Sequence, residues 1–152
     1  MTIGEVCTRN AVFVESTLTV QEAARQMREQ HVGALIVAAP AEGRIVPRGI
    51  VTDRDLVLGV MAPGIDATVF TVGDIMGPEL ITALDTDDLF ATVRKMRVKG
   101  IRRIPVVDQQ GALAGIYTLD DFLTFLAREM REVSGIIEKE QSREELTRVA
   151  LA

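Results

Sequence analysis

The sequence predicts a mixed α/β fold: two tandem β-α-β-β-α repeats followed by an extended C-terminal helix. Three observations carry this. The segment beginning at Ile3 recurs at Val72, a Gly-Ile-x-Thr-x-x-Asp motif occurs twice, and each copy alternates helix-period stretches with short apolar runs. Ile3-Gly4-Glu5-Val6-Cys7 matches Val72-Gly73-Asp74-Ile75-Met76 at an offset of 69 positions, which persists through Arg25/Arg94, Met27/Met96, Arg28/Arg97 and Val37/Val106. At Gly49/Gly115 the offset has fallen to 66, so the first repeat carries three extra residues. The turn-rich segment Ala39 to Arg44 is where such an insertion costs little.

Each repeat opens with a short extended piece, Ala11 to Val14 or Leu80 to Ala83. Ser16-Thr17 or Asp85-Thr86 then offers a cap to a helix. Val20, Ala23, Ala24 and Met27 share one face of that helix in the first repeat; Leu89, Val93 and Met96 do so in the second. Next come the apolar runs Ala34 to Ala38 and Ile104 to Val107, short enough for buried strands, with Pro105 expected at a strand start where a missing donor is tolerated. Hairpins through Glu42-Gly43 and Gln109-Gln110-Gly111 return second strands that end in the Gly-Ile-x-Thr motif. A closing helix follows from Asp53 or from Leu119.

One repeat alone would bury only a thin core. Two repeats packed sheet to sheet about a pseudo-twofold axis would cover the strands from both sides. That explains why Leu35-Ile36-Val37 is apolar throughout rather than alternating. One compact disc is therefore expected.

Composition narrows the function. Hydrophobic residues make up 47% and charged residues 26%, ordinary for a globular protein. Seventeen basic against twenty-two acidic side chains give a net charge of -5, which argues against nucleic acid as the main partner. A single cysteine, Cys7, and a single histidine, His31, supply neither an internal disulfide nor a metal cluster. Cys7 reads as a small apolar residue and His31 as an exposed helix-end histidine. No charged-then-apolar leader opens the chain and no apolar run is long enough for a bilayer, so the expected setting is a reduced cytoplasm without membrane contact. Neither a Ser/His/Asp nor a Cys/His arrangement nor a glycine-rich phosphate loop is present, and no enzyme is expected.

Two such repeats, each ending Gly-Ile-x-Thr-x-x-Asp, together with Ile101-Arg102-Arg103-Ile104-Pro105-Val106-Val107-Asp108, resemble a tandem pair of cystathionine-β-synthase (CBS) domains, the Bateman module. The resemblance covers roughly residues 3 to 130. It implies one repeat over 1–70, a second over 71–130 and a helical extension over 131–152. It further implies a non-catalytic regulatory module for signal transduction or energy sensing. Such a module binds adenosine-containing ligands: AMP first, with ADP, ATP, NAD(H) or S-adenosylmethionine as alternatives, and no metal. A structural dimerisation or adaptor module with vestigial pockets is the alternative.

Thr52 with Asp55, and Thr118 with Asp121, have the form of a capping box, which needs no ligand. Two features favour a ribose-binding role over capping alone. The acid is Asp, expected to reach back less well than Glu, and both copies place it after a buried strand at the cleft between repeats. A carboxylate there can accept from the 2′ and 3′ hydroxyls of a ribose, each bond contributing about 1.5–3 kcal/mol.

By the resemblance, the Thr/Asp pair of one repeat faces the first extended piece and the x-Ile-Pro-Val segment of the other. One site then joins Thr52 and Asp55 to Ile81, Ile101, Arg102, Arg103, Ile104 and Pro105. The adenine would lie on the aliphatic groups, and an arginine would meet phosphate through its planar fork of donors. The other site joins Thr118, Asp121 and Ile116 to Val12, Val32, Gly33, Ala34 and Leu35. Gly33-Ala34 stand where the arginines would be and Ile36 where the proline would be, so this site is expected to be weaker, empty or suited to a less charged ligand.

The last helix continues past the second repeat with Phe122, Leu126, Met130, Val133 and Ile137 on one stripe. Gly135 is a candidate bend, and Glu138 to Arg148 is expected to be an exposed, frayed helix. By the resemblance, such helices mediate a homodimer that signals to a separate downstream protein.

Overall fold

The computed structural model describes residues 1–150, and side chains as far as Arg148; the last two positions of the expected extension lie outside the described residues. Contacts divide the chain into two compact units, Met1–Tyr117 and the segment from Thr118 onward. The first holds α1 (Ile3–Val6), β1 (Phe13–Val14), α2 (Val20–Gln30), β2 (Ala34–Ala41), β3 (Arg44–Thr52) and α3 (Asp53–Leu56) with a π-helical turn through Met61. It continues with α4 (Val72–Ile75), β4 (Ala83–Leu84), α5 (Leu89–Lys99), β5 (Arg103–Val107) and β6 (Leu113–Thr118), whose last residue begins the second unit. That unit is α6 (Leu119–Ala150).

Each repeat forms a three-stranded sheet, ordered β1-β2-β3 and β4-β5-β6. β1 runs parallel to β2 with Val14 opposite Val37, and β4 runs parallel to β5 with Ala83 opposite Val106. The offset seen in the sequence is thus kept in the register. Ala34 to Ala38 and Ile104 to Val107 are buried, as central strands covered on both faces require.

Several local expectations are corrected. The extended pieces shrink to two residues each. Pro105 is the middle residue of β5, not its start; β4 pairs only from Val106, so no β4 acceptor waits for the missing donor. The three extra residues lengthen the β2–β3 hairpin instead of swelling a loop. Its two-residue turn has Glu42 and Gly43 at φ 50° and 76°, the two positive angles a type I′ connection demands. Ala24 is exposed, whereas Val20, Ala23 and Met27 are buried as expected. His31 is the exposed left-handed C-cap of α2, where the second repeat uses Gly100. α6 is helical through Gly135 and on through the charged segment.

In α5, Leu89 and Met96 are buried and Val93 half-buried, but Thr92 shares their face at 2% exposure. Its hydroxyl is buried without a hydrogen-bond partner among the described residues. The matching position in α2 is Ala23. Thr92→Val, nearly the same shape without the hydroxyl, should therefore raise stability by about 1 kcal/mol. A higher urea midpoint checks this; a lower one would mean the hydroxyl is satisfied.

The two repeats exchange their short first helices. α4 lies against the first repeat: the Val72 and Gly73 amides donate to the Leu18 and Ser16 carbonyls at 2.8 and 2.9 Å. Val72 joins the core of Val14, Val20, Met27, Leu35 and Val51. α1 lies against the second repeat, with the Ile3 and Gly4 amides donating to Asp87 and Asp85 at the same two distances. Every partner in one set is 69 positions from its counterpart in the other, as a pseudo-twofold axis requires.

The exchange explains the repeated glycines. A Cβ on Gly4 would stand 2.7 Å from the Asp85 carbonyl oxygen, and one on Gly73 would stand 2.9 Å from that of Ser16. Gly115 receives the end of α1, with the Thr8 carbonyl oxygen and the Cys7 sulfur 2.6 and 2.9 Å from its Cβ position. Gly49 receives Met76 in the same way. The first residue of the Gly-Ile-x-Thr motif is small because a neighbouring chain segment passes over it.

Candidate ligand site

Thr52 closes β3 and caps α3 with extended backbone angles, and Asp55 is the third residue of the helix. Asp55 Oδ2 accepts from the Thr52 amide at 2.8 Å and from its hydroxyl at 2.7 Å, while Thr52 Oγ1 accepts from the Asp55 amide at 3.2 Å. At the start of α6, Thr118 and Asp121 repeat these three distances. The capping box is therefore real in both copies, and the expectation that Asp reaches back poorly is wrong. Glu22, in the box of α2, lies at 3.1 Å from the Thr19 amide, no closer than Asp55 comes to Thr52. The same geometry recurs at Thr71 and Asp74, where the Thr71 amide and then its hydroxyl hold the Asp74 carboxyl below the usual carboxylate range.

Capping uses one oxygen of each acid. Asp55 Oδ1 and Asp121 Oδ1 have no hydrogen-bond partner among the described residues, and both acids are half-buried. A half-buried carboxylate clamped through Oδ2 presents Oδ1 in a fixed direction, with free lone pairs for incoming hydroxyl donors.

Arg103, from the second repeat, reaches the same end of the first repeat. Its Nη2 lies 3.0 Å from the Cβ position of Gly33, and Asp53 Oδ2 lies 3.1 Å from that point. The Asp53 amide also donates to the Gly33 carbonyl at 3.2 Å. A guanidinium with donors in a planar fork thus stands beside the first residue of α3, next in the chain to Thr52. Gly33, assigned from the sequence to the other site, borders this one. Its lack of a side chain leaves room for the arginine.

The remaining assigned residues divide by burial. Ile81 and Ile101 are half-buried and Arg102 is exposed. Ile104 and Pro105 are buried, so their side chains belong to the core and leave Ile81 and Ile101 as the accessible aliphatic groups. In the second set, Val12, Val32, Gly33 and Ile116 are half-buried, Ala34 is buried, and Leu35 is part of the first repeat's core. Sequence reasoning missed Asp53. Its only sequence signal is its place between Thr52 and Asp55; its nearness to Arg103 is a tertiary fact.

No group of three or more metal-binding side chains occurs among the described residues, and no described helix is long and apolar enough to cross a membrane. Two sheets in matched register, exchanged first helices and an arginine of one repeat beside the start of α3 in the other define a paired-repeat module. The CBS domain pattern matches residues 3–61 and 72–128, and the chain belongs to that family. It is 36% identical over 123 residues to an uncharacterised protein of Methanopyrus kandleri, a match covering 81% of this chain and 61% of that one. It is 34% identical over 119 residues to the CBS domain-containing protein YhcV of Bacillus subtilis, covering 78% and 81%. A CBS domain protein of Pyrobaculum aerophilum, solved in complex with AMP, superposes with a TM-score of 0.71 at 29% identity, covering 80% of this chain and 89% of that one.

Proposed function

We propose that this chain is a non-catalytic sensor of adenosine-containing ligands, AMP foremost, with ADP, ATP, NAD(H) and S-adenosylmethionine as the alternatives. The observation that carries it is the Arg103 guanidinium beside the start of α3, where Asp55 keeps an uncommitted carboxylate oxygen. In this reading Asp55 Oδ1 receives the ribose hydroxyls, Ile81 and Ile101 flank the base, and Arg103 meets the phosphate. Arg102, being exposed, contributes less. The AMP complex of the Pyrobaculum aerophilum relative supports the choice of ligand. Thr118 and Asp121, whose Oδ1 is likewise uncommitted, would serve a second, weaker site. The repeats here are 1–70 and 71–130, with 131–152 as an extension.

Ligand can transmit a signal only by preferring one relative angle of the repeats, through differential affinity. The response passes through a homodimer or to a separate protein in the cytoplasm. Calorimetry tests the reading. Arg103→Ala should weaken AMP by about tenfold, the worth of one charged hydrogen bond, and leave adenosine nearly unchanged. Equal losses for the two ligands would remove Arg103 from the phosphate position. The closed capping boxes favour a second reading, a structural adaptor with vestigial pockets, which predicts no heat with AMP, ATP, NADH or S-adenosylmethionine.

A further inference from the structure

Asp53, the first residue of α3, is an exposed acid beside the proposed phosphate position. Its Oδ1 accepts from the Arg54 amide at 2.8 Å, and its own amide donates to the Gly33 carbonyl at 3.2 Å, so the residue is held in place. Its Oδ2 takes no hydrogen bond among the described residues and lies 3.1 Å from the Cβ position of Gly33; Arg103 Nη2 lies 3.0 Å from the same point. The carboxylate and the guanidinium therefore stand within about 6 Å of each other, close enough to act on the same ligand charge. Asp53, Arg54 and Arg103 nevertheless form no ion pair among the described residues. The Asp53 charge borders the space that Gly33 leaves open, with no direct partner to neutralise it.

We propose that Asp53 determines how many phosphates the ligand carries: a nucleoside monophosphate is accepted at Arg103, and longer phosphate chains are disfavoured by the carboxylate beside it. This rests on the placement of a ligand phosphate at Arg103 proposed above. A single guanidinium balances the first phosphate, and every further charge brought to the same place meets Asp53. Two like charges about 6 Å apart in water-like surroundings repel enough to weaken binding about threefold per charge. ATP carries about two more negative charges than AMP, so the discrimination against it is about tenfold. Asp55 cannot account for such a preference. It meets the ribose, which adenosine, AMP and ATP share, whereas Asp53 borders the phosphate end alone.

Calorimetry with adenosine, AMP and ATP in magnesium-free buffer tests this on Asp53→Asn beside the unsubstituted chain. Asn keeps an oxygen for the Arg54 amide, so the substitution removes the charge and leaves the start of α3 intact. ATP should gain roughly tenfold relative to AMP, and adenosine should bind as before. The gain should shrink as salt is raised, because exposed charges are screened. Asp53→Glu, which keeps the charge, should keep the preference of the unsubstituted chain. An ATP-to-AMP ratio that stays fixed in Asp53→Asn, or moves equally in Asp53→Glu, overturns the role of Asp53 and leaves the nucleotide reading standing. A change of equal size for all three ligands does the same. An unsubstituted chain that binds none of the three overturns both.

Discussion

Asp55→Ala is expected to weaken AMP binding by roughly ten- to a hundredfold, the worth of one or two hydrogen bonds to a charged group. It should also lower stability, because the carboxylate has two tasks divided between its oxygens. Oδ2 closes the cap on Thr52 and Oδ1 is free for ligand. Losing the cap costs about 0.5–2 kcal/mol, seen as a lower urea midpoint. Asp74→Ala separates the tasks, since it opens a Thr-x-x-Asp box at the start of α4 rather than of α3. It should lose stability and keep affinity. Asp55→Asn keeps an oxygen for the cap and removes the charge, so its midpoint should largely recover while its affinity stays low. If Asp55→Ala binds AMP as the unsubstituted chain does, Asp55 is a cap and nothing more.

Gly115→Ala should destabilise the chain by about 1–3 kcal/mol, the usual cost of overpacking a filled interface. The added methyl would stand 2.6 Å from the Thr8 carbonyl oxygen, and backbone cannot swing aside. The segment after α1 has to lift off the second repeat, so Cys7, 2.9 Å from that methyl position, should react faster with a thiol reagent. Gly49→Ala should cost less, because its neighbour Met76 is a flexible side chain that can turn away. Gly77, with open space around its Cβ position and no positive φ, is the control and should change by no more than about 0.5 kcal/mol. A Gly115→Ala chain with an unchanged midpoint would show that α1 is not held against the second repeat.

Much of this architecture was legible in the chain. The offset of 69 fixed the correspondence between repeats, and the sheets pair in the matching register. The Thr-x-x-acid boxes were legible too, because a cap is made by residues three apart and needs nothing distant. Pro105 was misplaced because a strand boundary depends on where the neighbouring strand begins, which is not a local property.

What the sequence by itself determined is the duplication, the β-α-β-β-α order within each repeat and the two Thr-x-x-Asp helix starts. The caps of α2 and α5 fall at Thr19 and Asp88, three residues beyond the expected Ser16 and Asp85, and the short helices α1 and α4 carried no signal of their own. Which repeat each short helix covers was left to the tertiary structure. α1 and α4 carry the same pattern, so the sequence alone does not distinguish which repeat each one covers. The meeting of Arg103 with Asp53 and Gly33 was decided in the same way. Residues 50 and 70 positions apart share an environment only after the sheets have packed, and no local periodicity encodes that encounter.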